Sequence, residues 1–439
     1  MNETTISSVA RARADSKKSK MGRLAAASSI GTTLEWYDFT VYNLMAALVF
    51  NHIFFPSFSP LVGTILAFST YAVGYISRPF GGIIFGHLGD KLGRRWVLIT
   101  TLILMGVVTG LMGLLPTYFQ WGIWSPVALV SLRFLQGMAL GGEWAGSVLL
   151  TMEHGRQDQR GRNASFTQIG PSFGTLLGAG FIALLTYMLS ADEFTAWGWR
   201  ISFFSSVLLV VLGLWLRNGV EETPAFKELE ENGDKAEMPL KEVAVKHWPR
   251  LLIAGSVRIG SDVMYAILMV FTLTYVTTVL ELPRALALTA TMLGAAVHIF
   301  AVPAFGILSD KVGRRAVYGT GAVGSILWMY VFFQLLDSTS PALIILAVVV
   351  GMIFQAMMYG PQAAFITEQF PTRVRYAGSS LAYTLGGIIG GGFSPLIITF
   401  LLNEYHHSLP VSIFATAGLA VTLLALYVAK ETAHKPLAE

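Results

Sequence analysis

Long apolar stretches separated by short polar turns run through almost the whole chain. About 20 apolar residues in a helix span the hydrocarbon core of a bilayer. Such stretches are read at 25–50, 62–85, 96–115, 124–150, 165–189, 200–217, 250–279, 287–305, 316–336, 341–364, 378–402 and 409–429. The pattern predicts an all-α protein with twelve transmembrane helices. One connection alone is long and polar: residues 218–249 carry Glu221, Glu222, Lys227, Glu228, Glu230, Glu231, Asp234 and Lys235. It is read as a solvated, partly helical tether between two six-helix halves, 25–217 and 250–429. A basic tail, 1–24, precedes them and a short tail, 430–439, follows.

The turns repeat at half-length. Gly86-His-Leu-Gly-Asp90-Lys-Leu-Gly93-Arg94-Arg95 returns as Gly306-Ile-Leu-Ser-Asp310-Lys-Val-Gly313-Arg314-Arg315, with seven of ten positions identical. Glu153 with Arg160 returns as Glu368 with Arg375, and Glu222-Thr223 returns as Glu431-Thr432. Internal repetition of this kind marks a duplicated bundle whose halves can rock about a central site. Loop charges orient it. Lys91, Arg94, Arg95, Arg156, Arg160, Arg162, Lys311, Arg314, Arg315, Arg373 and Arg375 share one side, and Arg284 stands alone opposite. Both termini are therefore expected in the cytoplasm, and no short apolar segment with a cleavage site marks a removable signal peptide.

Composition narrows the class. Of 439 residues 54% are hydrophobic and 13% charged, against about 25% charged in soluble domains. The net charge of +4 is spread over short loops, which does not form a nucleic-acid surface. With no cysteine, disulfides, thiolate metal sites and cysteine nucleophiles are excluded. H-E-x-x-H, G-x-S-x-G and a Walker loop are absent from the sequence, so no enzyme chemistry is expected. Without a nucleotide site the drive is expected from an ion gradient, with no cofactor, no metal and a monomer in membrane lipid.

Ionisable groups inside spans are costly and are functional candidates by default. Glu35 and Asp38 share a helix face, with Tyr42 a turn further. Asp38 and Arg133 fall at similar depths, which allows an ion pair that either works in transport or only locks the first and fourth helices. Arg258, with Asp262 one turn on, and Arg78 are candidate partners for a substrate carboxylate through paired hydrogen bonds. Arg258 can instead be held by Asp262, and Arg78 can be structural. Trp36, Tyr37, Tyr42, Tyr71, Trp144 and Tyr265 are aromatic candidates for a ring-bearing substrate or for packing. Glu143 is an alternative proton site, and His298 reads as a packing residue. Asp90, Arg94, Glu153 and Arg160, with Asp310, Arg314, Glu368 and Arg375, are expected to form salt bridges that close the cytoplasmic face. Gly170-Pro171-Ser172-Phe173-Gly174 permits close helix approach and a hinge.

The paired turns resemble the signature loop of the major facilitator superfamily, and Arg133-Phe-Leu-Gln136-Gly137 resembles its fourth-helix motif. Within it, Glu35-Trp36-Tyr37-Asp38-Phe39, Arg78-Pro79-Phe80-Gly81-Gly82, Gly141-Gly142-Glu143-Trp144, Trp197-Gly198-Trp199-Arg200 and Glu222-Thr223-Pro224-Ala225-Phe226 look like the metabolite:proton symporters. That group includes carriers for shikimate, 2-oxoglutarate, citrate and proline/betaine. The resemblance implies the superfamily's fold of two pseudo-symmetric six-helix bundles, with Asp38 as proton carrier and Arg133 as its partner. It also implies import of a small organic acid, shikimate or a related carboxylate, across the bacterial inner membrane by alternating access. The osmosensing betaine carriers of that group end in a long coiled-coil tail, whereas Lys430 to Glu439 follow the last span here, so an osmosensor is not expected. A zwitterion symporter, a drug/proton antiporter and a non-transporting receptor are the rival readings. The fifth-span glycine motif resembles that of drug antiporters.

Overall fold

The computed structural model describes residues 3–56, 66, 70, 73–218 and 221–435. The principal helices are α1 (Glu3–Met45), α2 (Arg78–Leu92), α3 (Arg94–Leu114), α4 (Trp124–His154), α5 (Gly170–Met188) and α6 (Trp199–Arg217). They continue as α7 (Trp248–Tyr265), α8 (Arg284–Val312), α9 (Arg314–Asp337), α10 (Pro341–Glu368), α11 (Arg375–Gly387) and α12 (Leu409–Val428). Among the described residues, nine helical segments are long and apolar enough to cross a membrane. Of the twelve spans expected, the first and fourth fall outside the nine and the second is described only in part. The first and fourth carry Glu35 and Asp38, and Arg133, Gln136 and Glu143, respectively. Polar side chains serving a buried site are what depress their hydropathy.

α1 packs on α4, α5 and α6, α3 on α4 and α6, and α2 on α4. In the second group α8 and α9 pack on α10, and α7 on α11 and α12. The groups meet along two seams, α2 against α11 and α5 against α8, and the short helix Arg160–Gln168 that leads into α5 lies on α8 and α10. The close approach expected of the fifth-span glycines is present at Gly174, where a Cβ would stand 2.3 Å from the Thr33 carbonyl oxygen.

The repeated turns are alike in detail. Gly93 has φ 104° and ψ 157°, Gly313 φ 103° and ψ 153°, a region open to glycine almost alone. The chain reverses there, and the first N–H groups of α3 and α9 have no partner within their own helices. Arg94 and Arg95 N–H donate to the Glu222 carboxylate at 3.1 and 3.0 Å. Arg314 and Arg315 N–H donate to Glu431 at 3.1 and 2.9 Å. The Glu-Thr repeat thus supplies a negative cap at each helix N-terminus, where the dipole favours it.

The polar connection is partly helical and mostly exposed, as expected, but it is anchored at several points. Thr223 caps the helix Pro224–Glu231, and Phe226 is buried beneath the Arg94 guanidinium, 4.9 Å from the ring centroid. Ala236 and Val243 join a buried cluster with Phe370, Val374 and Tyr376, and Glu242 pairs with Arg373 at 2.9 Å. The apolar residues scattered among the charges dock this segment on the ends of both groups, which adds fixed contacts to the solvated reading.

Candidate substrate and proton sites

A cavity lies between the two groups of helices. Trp36 of α1 and Tyr75 line one side, and Arg258, Asp262 and Tyr265 of α7 with Gln355 and Tyr359 of α10 line the other. Arg258 Nε stands 2.7 Å from Asp262 Oδ2, one helical turn away. Its guanidinium lies over the Tyr383 ring at 3.4 Å and donates to the Tyr383 carbonyl. A Cβ at Gly387 would sit 3.0 Å from the guanidinium carbon, so α11 can approach Arg258 this closely only without a side chain there. Wide turns at Ala266–Phe271 and Ile388–Gly392 flank the cavity on α7 and after α11, a distortion frequent at functional sites. Tyr265 meets Trp36 edge to face at 5.4 Å. Trp144 stands behind the cavity wall, stacked on Tyr383 at 3.7 Å with its Nε1 donating to Gln168 at 2.8 Å. Tyr71 lies outside the described residues.

Asp38 occupies a separate pocket among α1, α3, α4 and α6. It accepts hydrogen bonds from Ser206, from Thr109 at 2.9 Å and from Gln136 at 3.2 Å. Arg133 donates to the other end of the Gln136 amide and lies between the rings of Phe39 and Tyr42, 4.2 Å from each. Tyr42 itself bonds Thr70 at 2.5 Å. The geometry therefore differs from the expected pair: Gln136 relays between Asp38 and Arg133. It lies three residues beyond Arg133, on the same face of α4. Arg78 forms a 3.0 Å salt bridge with Glu35 and lies over Tyr75 and Phe39. Glu143 pairs with Arg217 and accepts from Thr101 at 2.8 Å and Ser147 at 3.0 Å. Arg217, in the last turn of α6, escaped the sequence reading because a basic residue at a span end reads as a boundary marker. Gln355 left a signal, an amide within an apolar span, whereas Tyr383 left none.

His298 is fully buried and bonded at both ring nitrogens, to Ser172 at 2.9 Å and Gln355 at 2.6 Å. Gln355 donates through Nε2 to Ser261 Oγ at 3.1 Å, so its Oε1 faces the ring and His298 Nε2 carries the donating proton. The histidine is a satisfied link between α5 and α8, as the packing reading expected.

The eight candidates expected at the cytoplasmic face form two related clusters. Asp90 accepts from Tyr376 N at 3.3 Å and Ala377 N at 2.9 Å, at the start of α11. Asp310 accepts from Gly161 N at 2.8 Å and Arg162 N at 2.9 Å, at the start of the helix before α5. Arg94 lies 3.5 Å from Asp90 and 3.7 Å from Glu153, and Glu153 reaches Arg375 at 3.2 Å. Arg314 lies 2.7 Å from Asp310 and 3.2 Å from Glu368, and Glu368 reaches Arg160 at 3.1 Å. Each cluster joins the two groups of helices and closes this face.

A duplicated helical bundle with a central charged cavity and one sealed end defines a membrane transporter. The "Sugar (and other) transporter" family matches residues 24–249 and the "Major Facilitator Superfamily" family residues 261–439. The chain is 36% identical over 421 residues to the shikimate transporter of Escherichia coli strain K12, covering 94% of this chain and 95% of that one. It is 31% identical over 430 residues to the proline/betaine transporter of the same strain, covering 95% and 85%. The proton:xylose symporter XylE superimposes with a TM-score of 0.78 at 18% identity, covering 96% and 98%. The chain belongs to the major facilitator superfamily, in its metabolite:proton symporter family. It is a multi-pass protein of the bacterial inner membrane and not an enzyme.

Proposed function

We propose that the protein imports a small organic acid, shikimate or a related carboxylate, together with protons by alternating access. The organisation supposed is two six-helix halves, 25–217 and 250–429, with both termini cytoplasmic. The observation that carries the substrate class is Arg258, a guanidinium in the cavity wall whose planar fork suits a carboxylate. Asp38 is the proton carrier: a buried carboxylate held by hydroxyl and amide donors, with Arg133 behind Gln136, keeps partners in either protonation state.

A second reading has its own support. Arg258 beside Asp262 offers both signs of charge, which also suits a zwitterion such as proline or betaine. Uptake into proteoliposomes under an imposed inward proton gradient separates them. Accumulation of shikimate or 2-oxoglutarate that an uncoupler collapses is the expected result. In Asp38→Asn accumulation should vanish while acid exchange across the membrane persists. Uptake of glycine betaine with no uptake of any acid would sink the carboxylate reading.

A further inference from the structure

We infer that Asp262 is a second proton acceptor, whose protonation opens Arg258 to the substrate carboxylate, so that Asp262 and the acid compete for Arg258 and proton and acid bind together at one point in the cavity. The inference rests on the carboxylate reading above and adds the place where the two cargoes meet.

Geometry comes first. Arg258 and Asp262 are 5% and 9% exposed and both line the cavity. One face of the Arg258 guanidinium is covered by the Tyr383 ring, and one of its terminal nitrogens is engaged by the Tyr383 carbonyl. Asp262 stands against Nε. A carboxylate arriving from the cavity needs two parallel N–H donors, and Asp262 holds one edge of that fork.

Charge gives the second argument. Among the described residues, the charged groups lining the cavity are Arg258 and Asp262, and the Arg78–Glu35 pair, itself 3.0 Å apart, interacts with them electrostatically. Two guanidinium groups and two carboxylates sum to zero. A substrate anion makes the buried set negative, and burying an uncompensated charge is costly. One proton on Asp262 restores neutrality and releases the guanidinium edge together.

The other groups facing Asp262 do not supply that proton balance. Tyr318 of α9, Tyr359 of α10 and Tyr383 of α11 are its titratable neighbours. Tyr75 faces it across Gly391. Phenols are uncharged near neutral pH. His298 of α8 reaches this side only through Gln355, and α12 presents the hydroxyl of Thr422 to α7. The cycle then balances. An external proton adds to Asp262, the acid's carboxylate replaces it on Arg258, and the halves reorient. The acid leaves inside, Asp262 releases its proton to the cytoplasm, and the Arg258–Asp262 pair re-forms.

The test is equilibrium binding of shikimate, and separately of 2-oxoglutarate, to the full-length protein without a gradient, between about pH 5 and about pH 9, where buried carboxyls titrate. Affinity of the unaltered protein should fall about tenfold per pH unit above the titration of Asp262. In Asp262→Asn it should stay level and exceed the unaltered protein's at the alkaline end. A variant that keeps the original slope overturns the inference and leaves the carboxylate reading standing. If neither protein binds either acid at any pH, that reading falls and the inference with it. A measurement on the unaltered chain guards against a misfolded variant: in weak buffer, shikimate binding on the alkaline side should take up about one proton per acid bound. Binding without proton uptake at any pH also overturns it.

Discussion

Asp38 and Glu35 show how much a single residue's spacing tells. Their separation by three on one helix placed both on one face, and both are buried there. Their partners were not legible, because they come from distant helices and are mostly ordinary residues. Glu35 takes Arg78 from α2, whereas Asp38 takes Ser206 and Thr109, hydroxyls that nothing in the sequence marks. The Gln136 relay was present in the quoted fourth-helix motif, but spacing alone gave it no role. Glu143 and Arg217 carry a prediction at this scale. Removing one partner of a buried ion pair leaves an uncompensated charge and costs about 3–5 kcal/mol. Arg217→Ala should therefore lower the melting temperature of the purified protein clearly. Adding Glu143→Gln should recover much of that loss, because it removes the stranded charge. A double variant as unstable as Arg217→Ala would show that the arginine acts through its bonds to the Ala27 and Leu98 carbonyls instead.

Among elements, hydropathy marked the long apolar helices well and failed where an element does two tasks. The connection 218–249 looked solvated because charge dominates it. Phe226 and Val243 nevertheless bury themselves under Arg94 and against the start of α11. The Glu-Thr repeat was visible, but its job was not, since a cap depends on which helix ends nearby. Glu431 makes that job measurable. Half-burial pushes its carboxyl up, and N–H donors from Arg315, Ala433, Arg314 and Thr432 outweigh this and hold it below the ordinary 4.5. A depressed carboxyl stabilises the fold above its unfolded value and loses that contribution as pH falls through the folded one. The melting temperature of the unaltered protein should exceed that of Glu431→Gln near neutrality. The gap should narrow as pH drops below about 4.5. A gap that stays constant through that range would assign the difference to packing.

Across the whole molecule, the duplication was legible from the turns, because a ten-residue motif repeated at half-length is hard to produce otherwise. The sequence could not show which half each turn serves. Asp90 sits in the first half and caps α11 of the second, while Asp310 in the second caps the helix before α5 of the first. On the proposed alternating-access reading, both caps break when the cytoplasmic face opens. Asp90→Asn and Asp310→Asn should each shift the population toward the inward-open state, and by similar amounts. Distances between spin labels on cysteines introduced at the cytoplasmic ends can follow this directly, because the chain has no cysteine of its own. A shift confined to one variant would mean that a single cluster holds the closed state.

The exchange of caps bears also on ancestry. In a two-fold homodimer every contact occurs twice, residue i of one copy on j of the other and j on i. The Asp90 and Asp310 caps, with the Glu153–Arg375 and Glu368–Arg160 pairs, keep that reciprocity within one chain. A six-helix protein carrying one such turn could have sealed its inner face by pairing with a copy of itself. Fusion of the two genes would then have had no new contact to invent, and left each half free to diverge, one keeping Asp38 and the other Arg258.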